Sequence, residues 1–187
     1  MPHGQRPNHR ALYTGSFDPV TLGHLDVVRR GRLIFDDLIV AIGRNLRKRE
    51  MFPLMTRQRL VQELVDDLVR HEPEGGRVQV ATYEGLTVDF ARHMECHVIL
   101  RGIRNLTDLA YEVQLAMTNR EVAGIETLFI MTSQNFAYTS SNLIKQIAAL
   151  GGNLDQLKSI VPANVLTALK DLQSRNQLHH LIEDQVD

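Results

Sequence analysis

The chain has 187 residues, 43% of them hydrophobic and 23% charged, which is the composition of one globular domain with a substantial core. A formal net charge of −1 offers neither nucleic acid nor an anionic membrane an overall attraction, so any affinity for phosphate must come from local clusters. Cys96 is the single cysteine, so no disulfide closes within the chain, which suits a reducing cytoplasm, and no apolar run approaches the ~20 residues that span a bilayer.

Residues 1–10 are polar, lack the apolar core of a secretory signal, and are expected to form a flexible leader. Five short apolar runs bounded by turn or helix signals are predicted strands: residues 11–15, 38–43, 77–82, 97–101 and 126–132. A short stripe of Val27, Val28, Ile34 and Phe35 follows the first strand. The clearest helix is 56–71, where Leu60, Val61, Leu64, Val65, Leu68 and Val69 share one face. Val88, Phe90, Ala91 and Met94 predict a brief helix before the fourth strand, and Leu106, Leu109, Val113 and Met117 a longer one after it. Beyond the fifth strand the pattern is helical: 140–150, ended by Gly151-Gly152, then a helix entered at Pro162 with Val165, Leu166 and Leu169 on its apolar face. Residues 174–187 read equally as a frayed helix or an interaction tail. A single domain is therefore expected over 11–173. Strand–helix alternation predicts an α/β fold: a doubly wound, Rossmann-like five-stranded parallel sheet with helices on both faces and a helical C-terminal segment.

In such a sheet ligands bind beyond the carboxyl ends of the strands. The residues that follow the predicted strands are rich in phosphate-binding chemistry. Gly15, Ser16 and His24 follow the first, and Arg47-Lys48-Arg49 lies in the run after the second. Thr87 comes after the third, Arg101-Gly102-Ile103-Arg104 after the fourth, and Thr139-Ser140-Ser141 after the fifth. Gly15 permits a sharp turn and close approach of a ligand. Asp18-Pro19 is a turn-forming pair, and Thr21 is placed to cap the helix that carries His24. His24 then lies in the first helical turn, where free N–H groups and the helix dipole favour an anion. Its bland alternative is a capping or packing histidine; its spacing nine residues after a strand-ending glycine favours function. Ser140-Ser141 reads as a helix cap and as a second anion site, roles that coexist. Arg101 and Arg104 each offer a planar fork to a phosphate, against the plain alternative of solvated arginines. Glu112 holds a ribose, orients an arginine, or is simply an exposed helical glutamate. His71, His93 and His97 show no metal-ligand spacing with Cys96, so no metal site is expected, and Cys96 reads as a small buried hydrophobe.

These motifs resemble the bacterial phosphopantetheine adenylyltransferases over about residues 11–172. The resemblance rests on Gly15-Ser16-Phe17-Asp18-Pro19 with Thr21-Leu22-Gly23-His24, Lys48 followed by Met51-Phe52, Arg101-Gly102-Ile103-Arg104, Tyr111-Glu112, and Thr139-Ser140-Ser141. The Gly-His element alone marks only the wider nucleotidyltransferase superfamily. The resemblance implies adenylyl transfer from ATP to 4′-phosphopantetheine, with His24 stabilising the transition state. It implies acceptor contacts from Ser16, Lys48 and Arg101, and from Thr87 through its backbone. It also implies ATP contacts from Ser16, Phe17, His24, Gly102, Ile103, Arg104 and Glu112, and from Phe136, Ala137, Tyr138, Thr139, Ser140, Ser141 and Asn142. Mg2+ held mainly by ATP phosphates and water, a cytoplasmic location and a hexamer follow from the same resemblance. Asn142 departs from the more usual serine at its position. The alternatives are a superfamily member of the cytidylyltransferase type and a nucleotide-binding module without catalysis.

Overall fold

The computed structural model describes residues 9–44 and 49–181. Its sheet contains β1 (Arg10–Gly15), β2 (Asp37–Gly43), β3 (Arg77–Tyr83), β4 (Val98–Ile103) and β5 (Glu126–Met131), all parallel, in the order β3-β2-β1-β4-β5. All five predicted strands are present within two residues of their expected ends. Between them run α1 (Leu22–Gly31), α2 (Leu54–His71), α3 (Thr87–His93) and α4 (Leu106–Ala123), followed by α5 (Ser141–Ala149) and α6 (Ala163–Ser174). The chain winds outward from β1 in both directions, so the strand order reverses between β1 and β4. That is the switch point where a crevice opens at the carboxyl ends of the strands.

Alternation along β1 and β2 divides the core into two layers. Ala11 and Tyr13 join Leu38, Val40 and Ile42 in the larger layer, beneath α1, α2, α5 and α6. Leu12 joins Ile39 and Ala41 in the smaller one, beneath α3, with Cys96 and Ile125. Both strands are buried on both faces, which is why they read as unbroken apolar runs.

Two expectations about apolar stripes are corrected. The stripe expected after β1 includes Ile34 and Phe35, but α1 stops at Gly31 and the turn beyond it leaves Ile34 60% exposed while Phe35 is buried. The Leu106, Leu109, Val113 and Met117 stripe of α4 does not face the sheet: Leu106 is 83% and Met117 68% exposed. The single buried residue of α4 is Glu112. This helix turns a polar face inward, carrying Asp108 and Glu112 one turn apart, because the sheet rim beneath it presents arginines. Past α6 the chain folds back. Leu178 is buried in the larger layer, Arg49 Nη1 donates to the His180 carbonyl at 2.6 Å, and a ring nitrogen of His180 lies 3.0 Å from the Glu50 carbonyl.

Candidate active site

The turn from β1 to α1 is held from three sides. Gly15 brings the backbone against the Phe17 ring, where an added Cβ would lie 3.3 Å from ring carbons. Phe17 adopts φ 46 and is buried edge-on between Tyr13 and His24, with ring centroids 5.4 and 5.1 Å away. The Asp18–Pro19 peptide is cis. Asp18, read from sequence only as a turn former, is 3% exposed and accepts the backbone N–H groups of Met51 and Phe52 at 2.9 Å each. Lys145 of α5 neutralises the same carboxylate. Arg57 of α2, also buried, donates to the Ser16 carbonyl at 2.8 Å and to Glu50 at 2.7 Å. The turn is thereby tied to α2, α5 and the segment that leads into α2. Lys48 lies outside the described residues.

Thr21 caps α1 with a reciprocal box. Its hydroxyl accepts the backbone N–H of His24 at 3.3 Å, and its own N–H donates to His24 Nδ1 at 3.0 Å. A nitrogen that accepts an N–H carries no proton, so the neutral ring holds its proton on Nε2. Burial, then the Arg104 and Arg101 guanidiniums, push the imidazole pKa down to about 4. At neutral pH His24 is therefore an uncharged donor lining the crevice.

The two arginines are oriented by α4. Arg101 Nε donates to Glu112 Oε2 at 2.7 Å, Nη2 to Oε1, and Nη1 to the Thr14 carbonyl. Arg104 Nε and Nη2 donate to Asp108 at 2.7 and 2.9 Å, and Nη1 to the Thr139 carbonyl. Asn105 caps α4 by accepting the Asp108 N–H at 2.9 Å. Bidentate pairing fixes each plane and leaves further N–H groups free for an anion. Of the three sequence readings of Glu112, the structure realises the one that orients an arginine. Asp108, its counterpart, was missed. The repeat of the Arg101-to-Arg104 spacing in the nearly matched Asp108-to-Glu112 spacing was the available signal.

The segment after β5 closes the other wall. Ser140 caps α5, accepting the Leu143 N–H at 3.4 Å, and the Ser141 hydroxyl donates to the Pro19 carbonyl at 2.9 Å. Both serines, Asn142 and Phe136 line the crevice. Thr139 also lines it, with its buried hydroxyl lacking a partner among the described residues. Gly23 lets Phe136 approach α1, since an added Cβ would lie 3.2 Å away. Asp26, a second missed anchor, accepts the Ser133 N–H and hydroxyl at 3.1 and 2.9 Å. Ile103 and Phe17 are core residues under the site, each about 1–2% exposed, and Tyr138 is 65% exposed. Neither Tyr138 nor Ala137 lines the crevice.

Two cavities meet here. One of about 270 Å³ holds His24, Gly102 and the α5 N-terminus; its neighbour of about 1060 Å³ holds Thr87, Tyr83 and Asn119. They share Thr14, Gly15, Ser16, Arg101, Arg104 and Glu112. Among the described residues no group of three or more His, Cys, Asp or Glu side chains is placed to hold a metal ion, and no helix is long and apolar enough to cross a membrane.

A parallel sheet with a histidine donor at its switch point, in the smaller of two adjoining cavities that share two arginines, defines a nucleotidyltransferase, and residues 12–147 match the cytidylyltransferase-like family. The chain belongs to that family and, within it, to the phosphopantetheine adenylyltransferases. It is 47% identical over 161 residues to the phosphopantetheine adenylyltransferase of Rhodopirellula baltica, covering 86% of each chain. It is 42% identical over 170 residues to that of Geobacter metallireducens, covering 90% of this chain and 98% of the other. Among solved structures, a putative nicotinate-nucleotide adenylyltransferase from Vibrio parahaemolyticus aligns at TM-score 0.56 with 14% identity, over 90% of this chain and 94% of that one. The Plasmodium falciparum nicotinic acid mononucleotide adenylyltransferase complexed with NaAD aligns at 0.51 with 13% identity, over 90% and 96%. These two likenesses concern the fold alone.

Proposed function

We propose that this chain joins the adenylyl group of ATP to 4′-phosphopantetheine, giving dephospho-coenzyme A and pyrophosphate. The observation that carries this reading is the shared wall of the two cavities, where Ser16 and Arg101 border both and His24 stands at the edge of the smaller one. ATP occupies the smaller cavity, with its phosphates toward the N-termini of α1 and α5, and the acceptor occupies the larger one. An oxygen of the acceptor phosphate attacks the α-phosphorus in line, and the bond to the departing pyrophosphate breaks. The five-coordinate phosphorus carries more charge on its equatorial oxygens than ATP does. The Nε2–H of His24 donates to that charge without giving up its proton. Arg101 and Lys48 hold the acceptor phosphate. Arg104, Gly102 and residues 139–142 hold ATP, and Thr87 borders the acceptor.

No covalent intermediate is needed. Cys96 lies outside both cavities, and burial pushes its thiol pKa up to about 11. Asp108 and Glu112, the carboxylates in the smaller cavity, are both forked to arginines, so a magnesium ion brought with ATP would be held mainly by phosphates and water and would supply charge neutralisation there. The same reading places the enzyme in the cytoplasm as a hexamer. The exposed apolar side chains of α4 and of the edge strand β5, among them Leu106, Met117, Leu128 and Met131, support self-association.

The test is pyrophosphate release from phosphopantetheine with ATP or CTP, with the nucleotide product identified by mass. Turnover with ATP and appearance of dephospho-coenzyme A are expected. Turnover with CTP alone would assign the chain to a cytidylyl transfer instead.

A further inference from the structure

Three hydroxyls from three elements form a continuous chain in the larger cavity. Tyr83, the last residue of β3, sets its OH 2.7 Å from Thr14 Oγ1 and 2.8 Å from Thr87 Oγ1. Thr14 lies near the end of β1, and Thr87 opens α3. The Tyr83 ring is fixed by stacking on Phe90, with centroids 4.9 Å apart and planes 14° apart. Gly43 makes room for it, since a Cβ there would lie 2.8 Å from the phenol. All three hydroxyl residues border the larger cavity, and Thr14 borders the smaller one as well. The transfer step set out above makes no use of Tyr83.

Each hydroxyl can donate one hydrogen bond. The two internal bonds consume two of the three protons; when Tyr83 donates one of them, one end of the chain has a proton to give and the other has only lone pairs. The groups at the ends select the direction. Arg101 donates to the Thr14 carbonyl, and Arg101 and Arg104 border the same cavity, so an anion is favoured near Thr14. With an anion there, Thr14 donates outward, Tyr83 donates to Thr14 and Thr87 donates to Tyr83. Thr87 is left to accept from an N–H. Hydrogen bonds aligned in this way polarise one another.

We propose that Tyr83 is a positioning and specificity residue for the acceptor. It polarises the Thr14–Tyr83–Thr87 chain so that one end donates to the acceptor's phosphate and the other accepts an amide N–H of the same molecule. This rests on the reading of the acceptor as phosphopantetheine, which carries a phosphate and amide N–H groups.

The experiment compares wild type with Tyr83→Phe, which removes only the middle hydroxyl and keeps the stacked ring. The KM for phosphopantetheine should rise about 10-fold, the loss expected for a broken hydrogen-bond chain, while the KM for ATP and the thermal midpoint stay near wild type. Thr14→Val should give the same split, and the double variant should lose no more than the larger single loss. An acceptor analogue with an ester in place of the amide nearer the phosphate should bind wild type more weakly, and Tyr83→Phe should discriminate against it less. An unchanged acceptor KM in Tyr83→Phe, or equal rises for both substrates, would overturn the proposal while wild-type turnover leaves the acceptor reading standing. A wild type that does not turn over phosphopantetheine would overturn both.

Discussion

Nδ1 of His24 accepts the backbone N–H of Thr21 at 3.0 Å, and the Thr21 hydroxyl accepts the backbone N–H of His24 at 3.3 Å. One capping box thus fixes where α1 begins, how the imidazole is turned and which nitrogen bears its proton. The ring cannot rotate without breaking the cap, so the donor is oriented before any substrate arrives.

The pH dependence follows from this arrangement. Burial and the two arginines lower the His24 pKa to about 4, so the neutral donor form persists well below the ordinary imidazole range. A kcat/KM profile for ATP should show no loss attributable to His24 near pH 6.5 and an acid limb near pH 4. In the unfolded chain the same histidine takes up its proton near 6.5. Between these values the unfolded state binds more protons, so its contribution favours folding above pH 6.5 and is lost as pH falls toward 4. An acid limb near 6.5 that disappears in His24→Gln would contradict the neutral donor.

Glu112 uses both carboxylate oxygens to hold Arg101. Glu112→Ala should free the guanidinium, raise the KM for the acceptor and lower the thermal midpoint, because a half-buried charge loses its partner. Glu112→Gln keeps one acceptor oxygen and should fall between. Steady-state kinetics with each substrate varied in turn checks this; an unchanged acceptor KM in Glu112→Ala would remove Arg101 from acceptor binding.

Asp18 joins two backbone N–H groups and Lys145 at a site 3% exposed. Asp18→Asn keeps the shape but loses the charge and one acceptor, and should destabilise the fold by about 1–3 kcal/mol. Urea titration measures the change. Lys145→Met, which leaves the Asp18 carboxylate buried with only its N–H partners, should also destabilise, and the two losses should not add.

Met117→Glu and Leu128→Glu place charges on exposed apolar positions of α4 and β5. Light scattering should then report a smaller assembly than wild type, with the helical circular dichroism spectrum retained. An unchanged mass would contradict self-association through this surface.

The strands were legible because a sheet covered on both faces makes its central strands uniformly apolar, as in β1 and β2. The Thr21–His24 cap was legible because its partners are three residues apart. Asp18 was not, because Lys145 lies 127 residues away and no local pattern links them. Asp26 and Ser133, 107 residues apart, were hidden for the same reason. The α4 stripe misled in a different way. Helical spacing shows that a face is apolar but not which surface covers it, and here the sheet side went to the carboxylates that hold Arg101 and Arg104.

The most direct measurement is single-turnover adenylyl transfer by His24→Ala, with both substrates at saturation and their dissociation constants measured separately. The rate should fall by roughly 10²–10³ or more while ATP and phosphopantetheine bind as in wild type, the pattern of a donor that acts on the transition state. A variant that transfers at the wild-type rate, or that loses only ATP affinity, would contradict that role for His24.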